Sequence, residues 1–301
     1  MSSAKLFCAV ESERVGDPLA GTGVHLTRNL LITWPRQTWT RSLRRASDMA
    51  PEVTEHLNQM VEEGRRVNMI YDRDLPDETH RLFLFPEAIT LEVPRVALPE
   101  LLDAIRAGDA LEHWNPQPQT RPMLLCCTHG KKDKCCAKFG YSTYKQLRDA
   151  AQAGNLPIDV WESSHLGGCR LAASAVAFPA LRKYGRLTDT DIRPLLDSEL
   201  ADKPYLPCYR GRGNLTQAQQ VAEIHVLTHH PEAEGYSWLD VGDEVENGEQ
   251  LIVPVNLNDS GGSARTLRVH CKRQSIVRYD TCADLPEGPS EAGYWVVDWV
   301  E

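Results

Sequence analysis

Four residues in the middle of the chain have the types and spacing of a single metal site. Cys127 and Cys136 stand with eight residues between them in CTHGKKDKCC, and His165 and Cys169 with three between them in SSHLGGCR. Soft thiolates with an imidazole suit zinc or an iron–sulfur cluster and little else. Two irons need two ligands each, so two ligand pairs from separate segments can converge on one centre. Neighbouring strand residues point to opposite faces, so only one of Cys126 and Cys127 can face a metal in common with Cys136. The spacing favours Cys127 over Cys126 and Cys136 over Cys135. His129 is an alternative ligand that reads better as orienting the loop or facing solvent. Gly130, Gly167 and Gly168 let the backbone come close to inorganic sulfide and take up strained angles.

These segments alternate strand and helix. MLLCC reads as a strand, YSTYKQLRDAAQAG as a helix closed by Gly154, and LPIDVWESS as the next strand. Such a βαβ unit makes its strands parallel neighbours. Both ligand pairs then follow the carboxyl ends of adjacent strands, where open α/β sheets hold their ligands. LAASAVAFPA reads equally as helix or strand.

Upstream, LFCAV is expected to open a strand, NLLITWP is an apolar strand ended by Pro35, and PEVTEHLNQMVEE has helical spacing. VNMIYDR, RLFLFP and AITLEV read as strands and LPELLDAIRAG as a helix. NPQPQTRP, residues 115–122, marks a boundary. Residues 187–222 look helical with proline and glycine breaks. From about residue 223, EIHVLTHH, QLIVPVNL, TLRVHCK, SIVRYD and GYWVVDW read as short strands. Trp34, Trp39, Trp161, Trp238, Trp295 and Trp299 are expected in the core or at domain contacts. The reading is an α/β protein in three parts: an N-terminal α/β portion over 1–118, the ligand-bearing core over 119–190, and a helical linker with a β-rich extension over 191–301.

The chain has 301 residues, 42% apolar and 25% charged, enough to build a substantial core. A net charge of −9 argues against a nucleic-acid footprint. No apolar run approaches the length of a membrane span, and the N-terminus lacks the apolar core of a secretory signal. The expected location is the cytoplasm. Nine cysteines, several clustered, read there as metal binding rather than as a disulfide framework. Cys8, Cys208, Cys271 and Cys282 look isolated, each a small buried hydrophobe. Arg170, just past the ligand loop, could pair with a loop carbonyl or with Glu162.

CTHGKKDKCC, VWESSHLGGCRLAAS and KYGRL resemble the sucrase/ferredoxin-like family, and FCAVESERVGDPLAGTG and LLITWPRQTW are similar to its opening segments. The resemblance implies a core like that of the thioredoxin-like [2Fe–2S] ferredoxins. It implies a redox-active [2Fe–2S] cluster ligated by Cys127, Cys136, His165 and Cys169, and electron exchange with another redox protein. Mixed-ligand members carry HxGGH, but this chain has Cys169 in the last place, giving three thiolates and one imidazole. Imidazole in place of thiolate raises the reduction potential. Nothing marks the carboxylate pair of a glycosidase. Three readings compete. A Cys3His zinc site would stabilise a binding protein, although the long first gap fits zinc poorly. A thiol oxidoreductase would want the C-x-x-C that this chain lacks. A metal-free protein would bind a partner through its β-rich extension.

Overall fold

Alternation along the central strands sets the architecture. The computed structural model describes residues 6–73, 79–230, 236–259 and 264–301. In β6 (Met123–Cys127) every residue is buried, so both faces of its sheet are covered. Leu124 and Cys126 join one apolar cluster, whereas Met123, Leu125 and Cys127 join another. Each leucine or isoleucine so buried contributes about 1.5–3 kcal/mol.

The strands before it are β1 (Asn29–Thr33), β2 (Arg66–Tyr71), β3 (Thr79–Phe85), β4 (Ile89–Pro94) and the short β5 (Gln117–Pro118). After it come β7 (Asp159–Ser163), β8 (Ala175–Phe178), β9 (Arg182–Tyr184) and β10 (Tyr209–Arg212). Among the described residues these ten form one sheet, in the order β10-β9-β8-β6-β7-β2-β1-β3-β4-β5. Strands from either side of residues 115–122 therefore share a sheet. β6 and β7 are parallel, with Cys127 opposite Ser163, as the βαβ reading required. LAASAVAFPA resolves as a strand, β8, antiparallel to β6.

Helices α2 (Pro51–Glu62) and α3 (Leu98–Ala107) cover one end of one face. Helices α4 (Tyr141–Ala153) and α5 (Ile192–Leu200) cover the other end of that face. The opposite face packs against α1 (Cys8–Arg14) and the segment around Tyr279 and Cys282. A second sheet holds β11 (Tyr236–Val241), β12 (Val245–Asn247), β13 (Gln250–Asp259), β14 (Ala264–Arg278) and β15 (Ser290–Val300). Helix α6 (Gln217–His229) packs on it. The fold is thus α/β with a β-rich C-terminal sheet, and no described helix is long and apolar enough to cross a membrane.

Several local expectations are corrected. LFCAV does not open a strand, because Cys8, Ala9 and Ser12 are the buried positions of α1, a helical spacing. EIHVLTHH is the end of α6. Its Thr216–Gln219 capping box starts a helix that buries Ala218, Val221, Ala222 and Val226. YRGR, within the stretch read as helical, forms β10, and TLRVHCK and SIVRYD are one strand, β14. Trp34, Trp39 and Trp161 are core residues, whereas Trp299 is 47% exposed and stacks on His270. The side chain of Trp238 lies outside the described residues.

Two contacts fix the ligand segments to this frame. Gly140 ends a π-helical turn, Cys136–Gly140, that leads into α4. A Cβ on Gly140 would lie 2.0 Å from the Cys127 carbonyl oxygen, so only glycine lets this turn close on β6. Asp17, fully buried, takes Arg170 at 2.6 Å and Arg278 at 2.8 Å, tying the N-terminal segment to the ligand loop and to β14. Arg170 also reaches Asp280, while Glu162 pairs with Arg36, so of the two partners offered for Arg170 the Glu162 alternative is corrected.

Replacing Gly140 by alanine is expected to lower stability by about 1–3 kcal/mol through overpacking, read as an earlier urea midpoint. Asp17→Asn removes the buried one of the two carboxylates, Asp17 and Asp280, that Arg170 and Arg278 share, and is expected to cost about 1–3 kcal/mol. An unshifted midpoint in either variant contradicts the packing described.

Candidate metal centre

Cys127 ends β6, and Cys136 opens the π-helical turn that Gly140 presses against it. His165 follows β7 in the loop that leads to Cys169. Gly167 and Gly168 take φ angles of 89° and 77°, so the loop doubles back and returns Cys169 toward His165. One pair of the four is in direct contact. Cys169 Sγ lies 3.5 Å from His165 Nδ1. Cys136 perturbs the ionisation of both Cys127 and Cys169, and Cys127 that of His165, which puts the four side chains in one loose ring. The three cysteines are buried and His165 is half-buried, so the imidazole forms the solvent edge.

Protons divide unevenly round this ring. The contact with Cys136, and then His165, holds Cys127 well below the ordinary thiol range against the effect of burial. Cys136 is pushed well up by donating to Cys127 and Cys169 and by burial, so it keeps its proton. The Cys136 contact and His165 bring Cys169 down to about 7 against burial. Burial disfavours a charged His165, but contacts with Cys127 and Cys169 outweigh it and raise the imidazole to about 9. Cys127 and Cys169 thus favour the thiolate that ligates a cation, whereas a metal would displace the protons held by Cys136 and His165.

Basic side chains grip the outer side of the loop. Arg66 donates to the His165 carbonyl at 2.9 Å, Lys183 to that of Leu166 at 3.0 Å, and Arg210 to that of Gly167 at 3.3 Å. Asn68 also donates to the His165 carbonyl. Burial pushes Lys183 well down, Arg210 to about 9 and Arg66 to about 10, while the Cys127 thiolate draws each back up. With Arg170 and Arg278 these groups line a cavity of about 310 Å³ behind the ligand loop. Sequence reasoning missed them. Lys183 lies in KYGRL, but no spacing rule links that lysine to a carbonyl seventeen residues earlier.

The neighbouring residues separate cleanly. Cys126 points to the opposite face of β6, into the core against α4. His129 is buried, with Nε2 2.8 Å from the Thr40 carbonyl and its ring edge-on to Trp39. Its backbone N–H is directed at Cys127, which fits a loop-orienting role. Lys131 donates to the Gln37 carbonyl, and Lys134 sits over the Phe7 ring. Cys135 faces away from the ring of donors and meets Cys8 and Cys282 at Sγ–Sγ distances of 3.5 and 3.3 Å. Cys8 and Cys282 are therefore not isolated, which corrects their reading as separate apolar fillers. Cys208 and Cys271 are buried in core clusters, as expected.

Thioredoxin-like [2Fe–2S] ferredoxins from Aquifex aeolicus are among the similar solved structures. One covers 32% of this chain and 96% of its own at 13% identity, with a TM-score of 0.29. The wild-type ferredoxin in another crystal structure covers 30% and 95%, also at 13% identity, with a TM-score of 0.27. No curated protein matches the chain. The profile of the sucrase/ferredoxin-like family matches residues 19–211, which hold all four converging donors. The match spans more than half of the chain, and the protein belongs to the sucrase/ferredoxin-like family.

Proposed function

We propose that this protein is an electron carrier or redox module that holds a [2Fe–2S] cluster through Cys127, Cys136, His165 and Cys169. The observation that carries this reading is the convergence of three sulfurs and one imidazole where two parallel strands end, with basic groups held on the loop behind them. The donor set fits the group. It supplies four soft or borderline ligands from two segments, two of them already favouring the thiolate. A [2Fe–2S] cluster supplies one-electron redox chemistry at a potential set by ligand charge, hydrogen bonding and exposure.

The chain's own residues do the rest. Cys127 and Cys136 hold the buried side, and the half-buried His165 offers the route toward solvent and a partner. Arg66, Lys183 and Arg210 fix three successive carbonyls of the ligand loop, and the guanidiniums of Arg66 and Arg210 add positive charge near the Cys127 thiolate. That charge favours the more negative, reduced state. Nothing in this arrangement calls for a glycosidic carboxylate pair, and the partner we infer is another redox protein. We place the protein in the cytoplasm, where reducing conditions keep its free cysteines as thiols.

Protein purified without oxygen is expected to be coloured and to contain about two irons and two acid-labile sulfides per chain. Colourless protein with zinc at these four positions and no iron overturns the proposal. In Cys169→His a neutral imidazole replaces a thiolate, so the potential should rise, on the order of 100 mV or more. In Arg66→Gln the loss of a nearby positive charge should lower it by tens of millivolts, on the order expected from Coulomb's law in a partly screened site. Protein-film voltammetry reads both, and a fall in the first variant or a rise in the second contradicts the ligand assignment.

A further inference from the structure

Cys8, Cys135 and Cys282 form a second set of sulfurs, back to back with the first. Their Sγ atoms make a nearly equilateral triangle with edges of 3.3, 3.4 and 3.5 Å. The carboxylate of Asp133 caps it. Asp133 Oδ1 accepts the Cys135 backbone N–H at 2.8 Å and Oδ2 accepts that of Cys282 at 2.8 Å. Oδ2 also lies 3.9 Å from Cys8 Sγ, and all four donor atoms fall within 4.8 Å of one another. Cys8, Asp133 and Cys135 are buried and Cys282 is half-buried.

We propose that Cys8, Cys135, Cys282 and Asp133 bind one zinc ion that clamps α1 and the connection between β14 and β15 to the ligand-bearing segment. The size of the triangle argues for a single ion. Four donors around zinc at a Zn–S distance of about 2.3 Å give sulfur–sulfur edges of about 3.8 Å. The observed edges come close to that and are far too short to straddle a two-iron cluster. Three sulfurs and a carboxylate make a closed, tetrahedral donor set of the kind that structural zinc takes. Backbone donors are already aimed at the sulfurs, with the Cys8 N–H 3.4 Å from Cys282 Sγ and the Ala9 N–H directed at Cys135.

The ligands come from three distant parts of the chain. Cys8 begins α1, Asp133 and Cys135 precede the π-helical turn, and Cys282 lies between β14 and β15. Closing loops of such length is where a metal clip removes most unfolded-state entropy. Cys135 and Cys136 are adjacent, so the ion also anchors the backbone that presents Cys136 to the other centre.

The test is metal analysis of the full-length protein produced with added zinc, together with zinc-edge X-ray absorption. The expected result is about one zinc per chain with three sulfurs near 2.3 Å and one oxygen near 2.0 Å. Cys282→Ser should lose that zinc and retain its iron and sulfide, because Cys282 is not one of the four donors of the first centre. If the protein holds no iron, the zinc removed by Cys282→Ser still marks this second site, so the two assignments fail separately. Wild-type protein without zinc, iron bound in its place, or zinc undiminished in Cys282→Ser overturns the proposal. The absorption spectrum of the wild type decides it even if the variant does not fold.

Discussion

Positive charge buried beside a protein backbone is costly, by several kcal/mol per ion, unless negative charge faces it. Arg210 and Lys183 are almost fully buried, and Arg66 stands beside them. Loop carbonyls satisfy their donors, and the Cys127 thiolate draws all three back toward the charged state. The loop from His165 to Cys169 is thus a wall with basic groups on one side and sulfur on the other. Its two left-handed glycines let three successive carbonyls turn outward to those groups while Cys169 turns inward. The buried Asp17 carboxylate offsets part of this positive charge from the other side, and an anionic centre on the inner side, as proposed, would offset more.

The sheet supplies the second constraint. Alternation along β6 sends Cys126 into the core against α4 and Cys127 to the opposite face, so one strand end commits one sulfur. The turn that follows does the same for the adjacent pair, aiming Cys136 at Cys127 and Cys135 at Cys8 and Cys282. Two sulfur-rich sites therefore share one short segment and face different ways. In the proposed reading one carries electrons and the other ties α1 and the connection between β14 and β15 to that segment. The chemistry matches that division, because the first set includes an imidazole at the solvent edge and the second a carboxylate in a closed shell.

The placement of Cys127 at the end of one strand and of His165 just past the end of its parallel neighbour was legible because the pattern of both strands was clear. The parallel pairing of β6 and β7 followed from the helix between them. The second set was not legible. Cys8 and Cys282 are 274 residues apart, and no local pattern records that a loop after β14 returns to the first helix. The basic groups were hidden for the same reason, since Arg66, Lys183 and Arg210 come from three separate strands or their ends. Elsewhere, short apolar runs misled. LFCAV and EIHVLTHH carry strand-like residues, yet each sits in a helix whose buried positions follow the helical period, and tertiary packing decided between the two.

The central claim is one imidazole among three thiolates at a two-iron centre. It is tested most directly by pulsed electron paramagnetic resonance on the reduced protein carrying nitrogen-15 only in histidine. The account predicts strong coupling to a single imidazole nitrogen, abolished in His165→Cys while the two-iron signal persists. A reduced cluster with no histidine coupling, or with coupling that survives the loss of His165, contradicts it.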